Sequence, residues 1–288
     1  MYKEMKKEKY SVFSKCLLTG FLYAAITCMI QVPVANILFF LFDLQSDTSI
    51  SDDMLLFLLL SLFVVGIAMA WFYYLYGQLF AGNNKWISGL KYGIFVYLSN
   101  YIPQVFFLDA NNGVKTLIHG GFPVIQVELF DFIILIITVL VMAIYMPYQK
   151  STHGNCEKYN SPDWWKFILA GSVFAITMIV LQEMVLPLLG VQGMADGLYV
   201  SKENRLFFYS IMIAGFVLAG SLVFYCAMKN SNEKTKNRFC LHYGIFIWCT
   251  FDLTMIPLGF GVFSTILFIF VSMIGFVVLD SMCNLPLK

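Results

Sequence analysis

A 288-residue chain that is 60% hydrophobic, 12% charged and nearly neutral at a net +1 cannot cover a soluble globule with polar groups, because soluble domains carry about 25% charged residues. With a mean hydropathy of +0.78, most of its surface must be solvated by lipid. No basic face beyond what membrane orientation requires points to a nucleic-acid partner.

In chain order, residues 1–14 form a lysine-rich N-terminal segment, followed by an apolar run at 16–42. That run is far longer than the roughly 7–15 apolar residues of a signal peptide, and no small-residue cleavage pattern follows it. It predicts a first spanning helix. Further apolar runs lie at 54–78, 88–108, 129–147, 164–188, 206–228, 239–258 and 260–280. Each approaches or exceeds the ~20 residues a helix needs to cross about 30 Å of hydrocarbon, and none shows the alternation of a barrel strand. The expected fold is an all-α polytopic membrane bundle of eight helices.

Lysine and arginine set the expected orientation. With the N-terminus inside, 15 of the 18 basic residues fall on inner segments, and only Lys115, Lys202 and Arg205 fall outside. Both termini are therefore expected in the cytoplasm, with the chain in the inner cell membrane. Trp71, Tyr73, Tyr74 and Tyr76, with Trp164 and Trp165, fit an aromatic belt at the inner interface.

Two stretches nearly repeat each other: KYGIFVYLSNYIP at 91–103 and HYGIFIWCTFDLTMIP at 242–257. A single offset of 151 also places Lys15 on Lys166, Gly20 on Gly171, Ala24 on Ala175, Gln31 on Gln182 and Tyr74 on Tyr225. The offset predicts an internal duplication, with a first four-helix repeat at 15–148, a cytoplasmic linker at 149–163 and a second repeat at 164–288. Four helices per half make the repeats parallel, about an axis along the membrane normal. Gly20-x-x-x-Ala24 matches Gly171-x-x-x-Ala175, and Gly89-x-x-x-Gly93 matches Cys240-x-x-x-Gly244. Small residues four apart let helix backbones approach closely in lipid, so these positions are expected to pack helices. Pro103 and Pro257 should bend or end the third helix of each half.

No catalytic signature is present: no H-E-x-x-H, C-x-x-C, G-x-S-x-G, Walker loop or Rossmann glycine pattern. His119, His153 and His242 fall at different depths, so nothing implies a metal, and nothing implies a cofactor. The cysteines read as small apolar packers.

Buried polar residues are the remaining candidates, since a carboxylate at mid-bilayer costs roughly 2.5–3.5 kcal/mol to insert. Asp252 is expected near mid-membrane, with Tyr101 as its repeat mate and Ser99 and Asn100 at the same depth. Glu183, Gln182 and Gln31 form a second layer nearer the outside. Either layer could bind substrate or a coupling proton, or supply a structural hydrogen bond between helices. Glu128, Asp131 and Asp280, at helix ends, read as solvated.

Three functions fit these residues. A transporter would move a small neutral or lipid-like substrate between the two repeats. A non-catalytic membrane subunit or assembly factor would bind another membrane protein through the outer loop 109–127, where the halves differ most. An intramembrane enzyme using Glu183 or Asp252 is the weakest, since neither has an evident catalytic partner in the sequence.

Overall fold

The structure, a computed structural model, describes residues 2–41, 52–103, 123–149, 164–193, 202, 205–230, 238–255 and 261–283, with side chains in α1 from residue 10 to 30, in α2 from 55 and in α4 from 131. The described chain is all-helical. In order come α1 (Tyr2–Leu41), α2 (Asp52–Tyr76), α3 (Lys85–Val96), α4 (Pro123–Tyr145), α5 (Trp164–Val180), α6 (Arg205–Lys229), α7 (Phe239–Tyr243) and α8 (Val262–Cys283).

Among the described residues five helical stretches are long and apolar enough to cross a membrane: Tyr10–Ile30, Leu55–Phe80, Trp164–Leu188, Arg205–Lys229 and Val262–Cys283. A shorter apolar helix covers Asp131–Tyr145. Their outer faces carry large apolar groups, including Leu56, Leu60, Ile168, Ile176, Phe263, Ile266 and Phe270, and suit contact with a bilayer. Small and hydroxylic residues point inward instead, Thr19, Ser61, Thr138 and Ser272 among them. That is the reverse of a soluble helix and is the pattern that lipid rather than water outside would call for.

The apolar runs expected to span at 88–108 and 239–258 do not form unbroken α-helices of that length. From α3 the chain widens into a π turn at Tyr97–Tyr101. From α7 it passes through a π turn at Gly244–Trp248, an α turn at Cys249–Asp252 and a 3-10 turn at Leu253–Met255. A third π turn, Leu181–Val185, follows α5. Two of the three are followed by a proline. A helical proline excludes the carbonyl four residues before it, which for Pro103 is that of Ser99 and for Pro187 that of Glu183, both inside π turns. At the turn in α7 the Thr250 hydroxyl donates to the Phe246 carbonyl at 2.7 Å, a back-bond that bends helices. Pro257 lies outside the described residues.

The helices cluster into two compact units. The first comprises Met1–Ile94, Ile125–Lys150 and Leu253–Phe260, and the second Phe95–Val124, Ser151–Asp252 and Gly261–Lys288.

In the first unit α1 crosses α2 at Gly20 and Gly66. A Cβ on Gly20 would lie 2.6 Å from the Phe63 carbonyl oxygen, and one on Gly66 would lie 2.7 Å from the Gly20 Cα. Ala24, one turn on, is buried. α3 lies against α4, with Gly89 facing Ala143 and Gly93 facing Ile136. Asn84 caps α3, its Oδ1 accepting the Ile87 amide at 2.8 Å. Tyr92, fully buried, donates to the Met69 carbonyl at 2.8 Å and stands among the rings of Phe72, Tyr73 and Phe80.

In the second unit α5 crosses α6 at Gly171 and Gly220. A Cβ on Gly171 would collide with the Val217 carbonyl and with Ser221, whose hydroxyl donates to the Phe167 carbonyl at 2.9 Å. Ala175 is buried one turn further on. Gly275 of α8 admits Met178 and Phe174 of α5, and Gly244 admits Phe276 of α8. Phe174, Trp248 and Phe276 form an aromatic centre with ring centroids 5.0 to 6.1 Å apart, and Tyr243 joins it through Phe276 at 5.7 Å. Tilted and edge-on pairs of this kind add attraction beyond the area they bury.

Candidate functional site

Both copies of the repeated phrase contribute to the second unit: residues 95–103 from the first and 242–252 from the second, the latter just after Phe239. Phe95 meets Phe239 at 6.5 Å and Tyr243 at 5.4 Å, the Ser99 and Tyr243 hydroxyls share a hydrogen bond at 2.7 Å, and Tyr101 meets Phe251 edge-on at 5.3 Å. These contacts ascend together along both segments, so the two segments run parallel.

The π turn at Tyr97–Tyr101 places three successive residues, Ser99, Asn100 and Tyr101, in the interior. An α-helical turn would spread them over about 200° of the surface. Ser99 is held twice, because its hydroxyl also donates to the Phe95 carbonyl at 2.5 Å. The strict repeat mates of Ser99 and Phe95 are Thr250 and Phe246, and they make the same i−4 bond.

Asn100 is 0% exposed, and neither its Oδ1 nor its Nδ2 meets a hydrogen-bonding protein group among the described residues. An unmet buried polar group costs about 1–3 kcal/mol, so an amide with both ends unmet is a large local liability.

Asp252, 2% exposed, ends the α turn after the second π turn and accepts a hydrogen bond from the Ser272 hydroxyl of α8. Asn100 and Asp252 are each one residue from the Tyr101–Phe251 contact, so both belong to touching segments. The Thr265 hydroxyl, on the same stripe of α8 as Ser272 and seven residues before it, is fully buried and has no hydrogen-bond partner among the described residues.

The second expected layer is divided. Glu183 accepts the Tyr209 hydroxyl of α6 at 3.0 Å, which is a hydrogen bond between helices. Gln182 is 3% exposed, and its Oε1 meets no donor among the described residues. Gln31 lies in α1, but its side chain is outside the described residues, as are residues 109–122 of the expected outer loop and the Glu128 side chain, while residues 123–127 of that expected loop belong to α4.

Two residues expected to be solvated are buried. Asp280, 8% exposed, accepts the backbone N–H groups of Cys240 and Leu241 and so serves the unsatisfied donors at the start of α7. Asp131 is 5% exposed. Position at the end of an apolar run cannot report that another helix covers that end.

Sequence reasoning passed over Tyr243, Ser272 and Thr265 as members of this polar set. The signal was available on α8, where Thr265, Ser272 and Asp280 at spacings of seven and eight mark one face of an otherwise apolar helix.

The arrangement offers an uncharged amide, four hydroxyls and one carboxyl group inside an apolar bundle. Those groups can hold a neutral, hydrogen-bonding molecule. Compared with protein families, curated proteins and solved structures, the chain matches none.

Proposed function

We propose that the chain is a multi-pass transporter of the inner cell membrane that moves a small neutral or lipid-like solute. The observation that carries this reading is the buried Asn100 amide, unmet at both ends, on a π turn that touches the segment bearing Asp252. π turns and broken helices recur where backbone and side chains must serve a ligand, and discontinuous helices bear the substrate sites of many transporters. Neutral groups predominate in the set, which favours an uncharged solute.

The reading includes two parallel four-helix repeats. Its support is the offset of 151, the matching crossings of the first and second helices at Gly20 and Gly171, and the matching crossings of the third and fourth at Gly93 and Gly244. The Ser99 and Thr250 back-bonds add a further matched pair.

Proteoliposomes loaded by osmotic shock test the function. Light scattering should show glycerol, urea or acetamide entering faster than into protein-free liposomes. Asn100→Leu, which exchanges the amide for an apolar group of similar size, should return that rate to the protein-free value while the protein stays folded. Protein-free rates for every solute in wild-type vesicles would overturn the proposal in favour of a membrane subunit, which would co-purify with a fixed membrane partner.

The orientation has its own test. In intact cells a cysteine placed at Ser49 should react with an impermeant thiol reagent, and the native Cys156 should not. Labelling of Cys156 alone would reverse the topology.

A further inference from the structure

Within the second unit the start of α7 lies antiparallel against the end of α8. Gly244 admits Phe276, Asp280 accepts the backbone N–H groups of Leu241 and Cys240, and the Cys240 and Cys283 thiols share a weak hydrogen bond at 3.8 Å. Phe276, Asp280 and Cys283 stand at i, i+4 and i+7 of α8, on one face of that helix. The two sulfurs therefore meet at the end of a ladder of contacts, each about one turn from the next.

Both cysteines are free thiols. Cys240 is fully buried, and Cys283, the last residue of α8, keeps 8% exposure. A disulfide needs its sulfurs about 2.05 Å apart, so the pair falls short by about 1.8 Å, within the reach of side-chain rotation. Cys226 of α6 lies near both Cys240 and Tyr243. Packing does not ask for sulfur at Cys240. The residue 151 places before it is Gly89, buried against Ala143, so a small residue without a thiol serves the matching position.

We infer that Cys240 and Cys283 are a redox modification site, a dithiol that closes to a disulfide and locks the start of α7 to the end of α8. The oxidant is of the hydroperoxide class. The Cys283 sulfur, having lost its proton, attacks the peroxide and becomes a sulfenic acid, and the departing hydroxide takes up a proton as water. The Cys240 sulfur then attacks the Cys283 sulfur, and the hydroxyl leaves with the Cys240 proton as a second water. Two thiols and one hydrogen peroxide thus give one disulfide and two waters. In the proposed orientation this end of the bundle faces the cytoplasm, where thiols are kept reduced, so the open pair is the resting form. The site does not depend on what the chain transports.

Peroxide treatment of the full chain in proteoliposomes tests it. Free thiols are then alkylated with iodoacetamide in denaturant, and the peptides are mapped by mass spectrometry. The expected product joins Cys240 to Cys283 with the loss of two hydrogens, and dithiothreitol should restore both thiols. Cys226→Ser should form the same link, whereas Cys283→Ser should leave Cys240 alkylated. The link should raise the melting temperature by roughly 5 °C, as expected of a bridge between residues 43 apart in the chain, and Cys283→Ser should show no such rise. Recovery of Cys240 fully alkylated after peroxide would overturn the inference, as would a link from Cys240 to Cys226 or to a second chain. A Cys240–Cys283 link that leaves the melting temperature unchanged would overturn the lock.

Discussion

Replacing Gly171 with valine is expected to destabilise the protein by roughly 3 kcal/mol or more, the upper range for overpacking a tight contact. The atoms a side chain would meet are the Val217 carbonyl and Ser221, including its backbone nitrogen, and backbone cannot step aside as a flexible side chain can. The helices would have to separate. That would also loosen Gly220, which approaches Phe174 and the Gly171 Cα, and expose the Ser221 bond to Phe167. Gly171→Ala should cost about 1–3 kcal/mol by the same route. Gly261→Ala is the control: its Cβ would meet only Ser264 Oγ, at 3.9 Å, so its melting should shift by less than about 0.5 kcal/mol equivalent. Thermal unfolding in detergent, followed by circular dichroism, reads all three. Wild-type melting of Gly171→Val would mean that α5 and α6 do not cross at that residue.

The largest expected effect on activity belongs to Asp252. Asp252→Asn preserves shape and leaves an oxygen to accept the Ser272 hydroxyl, while removing the ionisable group. If the carboxyl group serves transport, solute entry into proteoliposomes should fall to the protein-free rate with the melting temperature unchanged. Asp252→Ala strands the Ser272 hydroxyl in the interior and should lower stability by about 1–3 kcal/mol. The pair separates the two roles, because a purely structural Asp252 makes the asparagine variant silent and the alanine variant unstable. An asparagine variant that carries solute at the wild-type rate would remove Asp252 from the transport site.

Composition alone made an all-helical, lipid-facing chain legible, since 12% charge cannot clothe a soluble surface. The breaks in α3 and α7 were less legible. Hydropathy sums side chains over a window and does not register where a hydroxyl or proline competes for a backbone carbonyl, as Ser99, Thr250 and Pro103 do here. Asp280 and Asp131 were misread for a related reason: burial at a helix end depends on which neighbour covers it, and the donors Asp280 serves are about 40 residues away in the chain. Glu183 looked equally suited to function or to cross-linking. Its bond to Tyr209, 26 residues away, could not be read from an offset that compares only repeat mates. Asn100 was visible as a polar residue at depth. That its amide goes unmet depends on the π turn, which turns it inward beside Ser99 and Tyr101.

A π turn also bears on how sequences like this one should be aligned. It holds one residue more than an α turn over nearly the same rise, so a chain can gain or lose a residue there without rotating the rest of the helix by 100°. The wide turns stand at Tyr97–Tyr101 in one copy of the phrase and at Gly244–Trp248 in the other, four residues apart once the offset of 151 is applied. Between the two breaks, matched letters need not occupy matched faces, and this is the stretch after which Pro103 and Pro257 drift three residues out of step. Past both turns, one in each copy, the extra residues cancel and an ungapped comparison comes back into step. A single-residue gap inside either helix is what a π turn in one sequence and an α turn in the other would produce.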